Sequence, residues 1–116
     1  AVDRLRRRVG LAIEALGLRA VEVPTHPAKG VDLALLERAI RRHRARGAIE
    51  MTTCHNPLGS VMSDAAKEEL VALVTRNGVA LIEDDVYGEL AHGETRPRPA
   101  KAFDRRGHVM LCSSVS

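Results

Sequence analysis

The 116-residue chain has the length of one small domain, or of part of one. Its hydrophobic fraction of 45% is sufficient for a core, but aromatic residues make up only 2%, so Ala, Val and Leu must supply most of the packing. The formal net charge of +3 comes from two arginine clusters, Arg4–Arg8 and Arg41–Arg46. With so few aromatic side chains a base-stacking nucleic-acid surface is disfavoured, and we interpret the clusters as solvated helix faces.

Apolar periodicity and turn residues predict an alternation of helices and strands. The predicted elements are, in chain order, helix 2–16, strand 20–23, a helix from 32 to about 46, strand 48–52, a helix from about 63 to 76, strand 79–83 and strand 108–112. The apolar side of the second helix is predicted to carry four residues, Leu33, Leu36, Ile40 and His43.

Turn and capping residues mark the boundaries of these elements. Asp32 and Ser63 or Asp64 are suitable N-caps, and Gly17 is a suitable C-cap. Helix ends are also predicted at Gly47 and at Asn77–Gly78, whereas loops are predicted over 24–30, 53–59 and 91–102. Strands that alternate with helices imply the α/β class, with a mostly parallel sheet covered by helices.

The most unusual stretch is an apolar run, Val79–Ile82, that ends in the three carboxylates Glu83, Asp84 and Asp85, followed by Tyr87. In an open parallel sheet the carboxyl ends of the strands share one edge, where ligands bind. Three loops would therefore meet there: His55–Gly59, Asp84–Tyr87 and Ser113–Ser116. An acid, an amide, a phenol and several hydroxyls suit a ligand with a cationic ring nitrogen, a phenolate-like oxygen and a phosphate, which describes pyridoxal phosphate.

The same loops carry a resemblance to a known family. Cys-His-Asn-Pro-Leu-Gly at 54–59, Glu-Asp-Asp-Val-Tyr-Gly-Glu-Leu at 83–90 and Leu-Cys-Ser-Ser-Val-Ser at 111–116 resemble fold type I aminotransferases. Together with Arg-Pro-Arg-Pro-Ala-Lys-Ala-Phe-Asp at 96–104, they are most similar to the aminotransferase-like domain of GntR-family regulators of the MocR subgroup. The resemblance implies a three-layer α/β/α large domain, of which residues 1–116 are a part.

By position, the resemblance also implies the role of each site residue. Asn56 and Tyr87 would hydrogen-bond the phenolic oxygen of pyridoxal phosphate, and Asp84 would pair with its pyridine nitrogen. Ser114, helped by Ser116, would contact the phosphate. A carboxylate beside the ring nitrogen keeps that nitrogen protonated, which makes the ring an electron sink. Glu83 and Asp85 are expected to be structural.

Several parts of the family pattern do not occur within residues 1–116. The lysine that forms the Schiff base, the glycine-rich phosphate-binding segment, the small domain and the N-terminal winged-helix DNA-binding domain are expected elsewhere in a longer protein. The chain taken alone is therefore expected to be inactive. Strand 20–23 is expected to be poorly paired, because its neighbour in the family sheet comes from sequence before Ala1.

Two functions follow from the resemblance. The first is a GntR/MocR-type transcriptional regulator, dimeric and cytoplasmic, that binds pyridoxal phosphate, senses an amine or amino acid and contacts DNA through its missing domain. The second is a stand-alone class I/II aminotransferase that moves an amino group between an amino acid and a 2-oxo acid. A third hypothesis, from another class, is a magnesium-binding receiver-like domain that uses Glu83–Asp85, but strand 48–52 is followed by Cys-His-Asn rather than a phospho-accepting Asp.

No membrane span is predicted, because no apolar stretch approaches the roughly 18 residues that a span needs, and there is no signal-peptide pattern. The two cysteines, Cys54 and Cys112, are far apart and form no CxxC motif. Each adjoins an apolar, strand-like run, so we interpret them as buried free thiols, with a disulfide or metal pair as the alternative.

Overall fold

The computed structural model describes residues 11, 13–26, 30–50, 62–84 and 98–112. Helix α1 spans Leu33–His43 and helix α2 spans Asp64–Arg76. The predicted N-caps are confirmed: the Asp32 carboxylate accepts from the N–H of Leu35, and the Ser63 hydroxyl accepts from the N–H of Ala66, both at 3.1 Å. Each cap satisfies a backbone donor that the first helical turn leaves without an intrahelical partner.

Each of the three α-helix ends that the structure describes has a residue in the left-handed conformation, and two of these residues are glycines. Gly17, with φ +74°, follows helical residues 13–15, and Gly78, with φ +65°, follows α2. The predicted stops at Gly17 and Asn77–Gly78 are therefore confirmed. The predicted stop of α1 at Gly47 is wrong, because the left-handed residue is Arg44, with φ 52°. Gly47 is instead the first residue of the next strand.

Three parallel strands form the sheet, in the order β3 (Gly47–Glu50), β4 (Ala80–Asp84) and β5 (Val109–Cys112). Ala48, Leu81 and Val109 are register partners across the sheet. The strand with the acidic carboxyl end is thus the central one, flanked on both sides. The predicted parallel arrangement of these three strands is confirmed.

The prediction of a strand over 20–23 is wrong, because these residues form no strand. Both neighbours of β4 are other strands, in line with the expectation that this segment is poorly paired. Two short strands, β1 (Thr25–His26) and β2 (Gly30–Val31), pair antiparallel in the region predicted to be only a loop. Gly30 has φ +87°, and a Cβ there would lie 2.7 Å from the Cγ of buried Met62. Both the backbone conformation and the close contact therefore require glycine.

One hydrophobic cluster joins the sheet to both helices. It contains Leu36 and Ile40 of α1, several residues of α2, and Leu81 and Val109 of the sheet. His43, predicted on the apolar side of α1, is exposed, since it lies beyond the last buried position of that helix. Part of the loop predicted over 91–102 forms a 3₁₀ helix, Ala100–Phe103, that packs against α2.

The opposite face of the sheet is open in the described part of the chain. Ile49, Ile82 and Met110 are register partners there, and they are 49%, 38% and 64% exposed. The described residues thus supply the sheet and one helical layer of the three-layer arrangement that we expect. None of the helices in the described ranges is long and apolar enough to cross a membrane.

Candidate cofactor site at the carboxyl edge of the sheet

The three predicted site loops follow strands that end side by side. β3 ends at Glu50, β4 at Asp84 and β5 at Cys112, and the last two residues are register partners. Since all three strands run parallel, the chain leaves each of them at the same edge of the sheet. This edge is where open α/β sheets bind ligands.

Of the predicted cofactor residues, Asp84 is the one that the structure describes. It is the last residue of the central strand and is half-buried. Asn56, Tyr87, Ser114 and Ser116 lie outside the described residues, as do His55 and Asp85. Their proposed roles therefore remain predictions.

Glu83 and Asp84 are adjacent in a strand, so their side chains leave on opposite faces of the sheet. Glu83 has no exposed surface. Its Oε2 accepts from the N–H of Ala100 at 2.6 Å, and its Oε1 accepts from the N–H of Lys101 at 2.9 Å. The expected structural role of Glu83 agrees with these contacts, because the carboxylate satisfies the first backbone donors of the 3₁₀ helix.

A second buried charge holds the same segment. Lys67 of α2 has no exposed surface, and its Nζ donates to the backbone carbonyl of Arg98. The sequence analysis did not single out this residue. The signal was present, however, because Lys67 shares helical spacing with the buried residues Leu70, Val71 and Val74.

Arg98 is attached to α2 by its side chain as well as by its backbone. Its Nη2 lies 2.6 Å from Oδ2 of Asp64, and its guanidinium lies 5.0 Å from the centre of the Phe103 ring. The hydrogen bond from Arg98 is the main reason why the pKa of Asp64 lies below its usual value. Both partners of this ion pair are more than half exposed, so its main consequence is to orient the segment.

Asp104 links the 3₁₀ helix to the start of β5. Its side chain has no exposed surface and accepts from Lys101 Nζ at 2.8 Å and from the N–H of Val109 at 2.9 Å. It also accepts from the N–H groups of Arg106 and His108, both at 3.2 Å. Burial raises the pKa of Asp104, but the four hydrogen bonds outweigh that effect and hold the pKa well below its usual range.

The position of Asp84 fits a cationic ring nitrogen. A half-buried carboxylate at the end of the central strand can form an ion pair that is only partly screened by water. Cys112, its register partner on β5, is a free and exposed thiol, so the prediction that this cysteine is buried is wrong. In the described part of the chain β5 has a neighbouring strand on one side only, which leaves its last residue open to solvent, whereas a buried thiol requires cover on both sides.

The fold and this edge define an α/β domain with its candidate ligand site at the carboxyl ends of parallel strands. The family described as "Aminotransferase class I and II" matches residues 10–116. The chain belongs to this family. Membership removes the basis for the receiver-like hypothesis and confirms the resemblance stated above.

The most similar relatives include two transcriptional regulators from Escherichia coli. The HTH-type transcriptional regulator YdcR is 45% identical over 105 residues, and YjiR is 40% identical over 104 residues. Each match covers 90% of this chain and 22% of the relative. A 2-aminoadipate transaminase from Thermus thermophilus is 36% identical over 87 residues, which are 73% of this chain and 22% of the enzyme. The chain therefore spans about a fifth of the length of the curated relatives it matches.

Solved aminotransferase structures share the fold. An archaeal alanine:glyoxylate aminotransferase superposes with a TM-score of 0.81 at 26% identity, over 90% of this chain and 27% of that one. An alpha-aminoadipate aminotransferase from Thermus thermophilus, complexed with N-(5'-phosphopyridoxyl)-L-leucine, has a TM-score of 0.74 at 30% identity, over 86% of this chain and 26% of that one. These similarities confirm the prediction of an aminotransferase-type α/β fold.

Proposed function

We propose that this chain is part of the large domain of a GntR/MocR-type transcriptional regulator that binds pyridoxal phosphate and senses an amine or amino acid. Family membership and the identity to two HTH-type regulators support this assignment. In this proposal the Schiff-base lysine, the small domain and the winged-helix DNA-binding domain lie outside residues 1–116. The regulator is a cytoplasmic homodimer that contacts DNA through the winged helix.

The residues of this chain hold and orient the cofactor in this proposal. The carboxylate of Asp84 keeps a proton on the pyridine nitrogen, Asn56 and Tyr87 donate to the phenolic oxygen, and the hydroxyls of Ser114 and Ser116 bind the phosphate. When bound, pyridoxal phosphate supplies an electrophilic carbon that captures amines and a ring that accepts electron density. A regulator can use that carbon to recognise its effector without completing amino transfer.

The observation that carries the proposal is the place of Asp84. It ends the central strand of a parallel sheet, and its register partner is Cys112, the last residue of β5, which Ser113–Ser116 follow in the sequence. Glu83, the acid before it, bonds to backbone N–H groups on the covered face of the sheet. Asp84 points to the other face, so it and Glu83 have separate roles.

The test is Asp84→Asn in the full-length protein that contains this chain. Because the amide carries no charge to hold the ring proton, we expect pyridoxal phosphate to bind on the order of tenfold more weakly or worse. Fluorescence or absorbance titration with the cofactor measures the change. Asp32→Asn is the matched control, since Asn is as good an N-cap as Asp and this residue lies at the start of α1. Wild-type affinity in Asp84→Asn would contradict the proposed role.

A second function, a stand-alone aminotransferase, is favoured by one observation, the 36% identity to a 2-aminoadipate transaminase. The two proposals differ in what the full-length protein does with an amino acid and with DNA. Steady conversion of a 2-oxo acid to an amino acid, without DNA binding, supports the enzyme. Cofactor-dependent binding to a DNA fragment, without turnover, supports the regulator.

A further inference from the structure

The segment from Arg98 to Asp104 is tied to the rest of the fold by two buried charged side chains. Lys67 binds the carbonyl of Arg98, and Glu83 binds the N–H groups of Ala100 and Lys101. Neither Lys67 nor Glu83 has any exposed surface. Buried charges of this kind are costly to remove from water, so the contacts they make tend to hold the segment in one position.

The contacts continue from this segment to the next strand. Lys101 donates through its side chain to Asp104, and Asp104 accepts from the N–H of Val109, the first residue of β5. A continuous set of hydrogen bonds therefore runs from Glu83, near the end of β4, to the start of β5. Added to the ladder between the two strands, it ties the carboxyl end of β4 to the amino end of β5 and so limits how far Glu83 can move relative to β5.

Glu83 is next to Asp84 in the chain, so any shift of its backbone moves Asp84. Its two hydrogen bonds, of 2.6 and 2.9 Å, hold the Glu83 side chain on the covered face of the sheet and thereby restrain the backbone that leads to Asp84. A carboxylate must sit within hydrogen-bond reach of a ring nitrogen to hold its proton, and misplacement by a fraction of an ångström weakens that contact.

We propose that Glu83 is a positioning residue for the cofactor site: by binding the backbone at Ala100 and Lys101 it holds Asp84 at the place where the pyridine nitrogen is bound. This inference rests on the proposed function, because it assumes that Asp84 meets the ring of pyridoxal phosphate. It assigns a distinct task to each of two neighbouring acids, since Glu83 faces the protein and Asp84 faces the ligand.

The test is Glu83→Gln in the full-length protein, with pyridoxal phosphate as the probe. The amide keeps one acceptor oxygen but places an NH₂ group opposite one of the two backbone donors, so the segment and Asp84 shift. We expect affinity to fall by roughly tenfold. We also expect the pH midpoint of the visible band of the bound cofactor to rise by about half a unit, because a less firmly protonated ring withdraws less electron density.

Glu37→Gln is the matched control for this substitution. Glu37 also accepts several hydrogen bonds, from Arg76 and Asn77, but it joins α1 to α2. Loss of its charge should lower the unfolding temperature without moving the midpoint of the band. A purely structural role of Glu83 predicts the same pattern for Glu83→Gln, and that result would overturn the proposal.

Glu83→Asp covers the case in which Glu83→Gln does not fold. It keeps the charge but shortens the side chain by one methylene, so it should raise the midpoint by a smaller amount in the same direction. Folded variants with the wild-type affinity and midpoint refute the proposal, and so does failure of both variants to fold. Failure of the wild-type protein to bind pyridoxal phosphate at all would instead overturn the proposed function on which the inference rests.

Discussion

Asp104 offers the sharpest stability prediction, because a single buried carboxylate accepts four hydrogen bonds. One oxygen accepts from Lys101 Nζ and from the N–H of Val109, and the other accepts from the N–H groups of Arg106 and His108. In Asp104→Asn one of these oxygens becomes an NH₂ group. Two donors then lose their acceptor and face another donor instead.

The loss of folding free energy depends on which pair of hydrogen-bond donors loses its acceptor oxygen. The amide should turn so that its oxygen keeps Lys101 and Val109, which make the two shorter bonds. The loss then falls on Arg106, whose N–H is exposed and can bind water, and on His108, whose N–H is partly buried. One partly buried donor without a partner costs about 1–3 kcal/mol, so we expect a loss of about 2 kcal/mol. Asp104→Ala leaves both pairs without an acceptor and should cost about twice as much.

Urea denaturation at neutral pH measures the free energy of unfolding of each variant. Asp32→Asn is the control, since it makes the same chemical change at an N-cap where Asn is equally effective, and it should shift the midpoint little. Because the pKa of folded Asp104 lies below its usual value of 3.8, its contribution is present above that value and lost as the pH falls below it. In Asp104→Asn the free energy of unfolding should therefore fall less steeply as the pH is lowered below that value. A loss below roughly 0.5 kcal/mol at neutral pH would refute the reasoning.

Two further predictions concern the helices. Hydrogen bonds from Arg76 and Asn77 lower the pKa of Glu37 from 4.5 to about 2. The stability that this residue contributes is therefore present above pH 4.5 and lost as the pH falls toward about 2. In an acid titration followed by circular dichroism, Glu37→Gln should lose helical signal less steeply than the wild-type protein. Arg44 has a left-handed φ of 52°, a conformation that costs a non-glycine residue about 1–2 kcal/mol. Arg44→Gly removes this cost but gives the unfolded chain more conformational entropy, so the net stabilisation should be about 0.5–1 kcal/mol. Arg42→Gly, within α1, should instead destabilise by up to about 1 kcal/mol, and thermal unfolding of the two variants compares them; equal shifts would contradict the argument.

Local sequence signals were reliable where the interaction that ends or begins an element is itself local. Asp32, Ser63 and Gly78 cap helices through contacts within a few residues, and their predictions are confirmed. The end of α1 was misplaced because Gly47 was expected to provide the left-handed turn. Arg44 adopts that turn instead, and the N–H groups of residues 44 and 45 bond to the carbonyl of Ile40.

Predictions that depended on a partner elsewhere in the chain were less reliable. Residues 20–23 have strand-like composition, but a strand requires a neighbour to complete its hydrogen bonds. Among the described residues none pairs with them, so the expected poor pairing agrees with the structure and the predicted strand does not. Lys67 was not singled out from the sequence, since its charge gives no sign of burial. It is buried because the backbone of Arg98 and the 3₁₀ helix cover it, and those residues lie far along the chain.

The candidate site shows the same division. The resemblance of the loop motifs was enough to indicate the aminotransferase family. A strand over 79–83 that ends in carboxylates could be predicted because a strand end and the acids beside it are local features. The neighbours of that strand, the burial of Glu83 and its bonds to Ala100 and Lys101 depended on tertiary packing. A carboxylate in sequence has no defined partner until folding brings donors to it, so its role as a ligand or as a structural anchor is decided only in three dimensions.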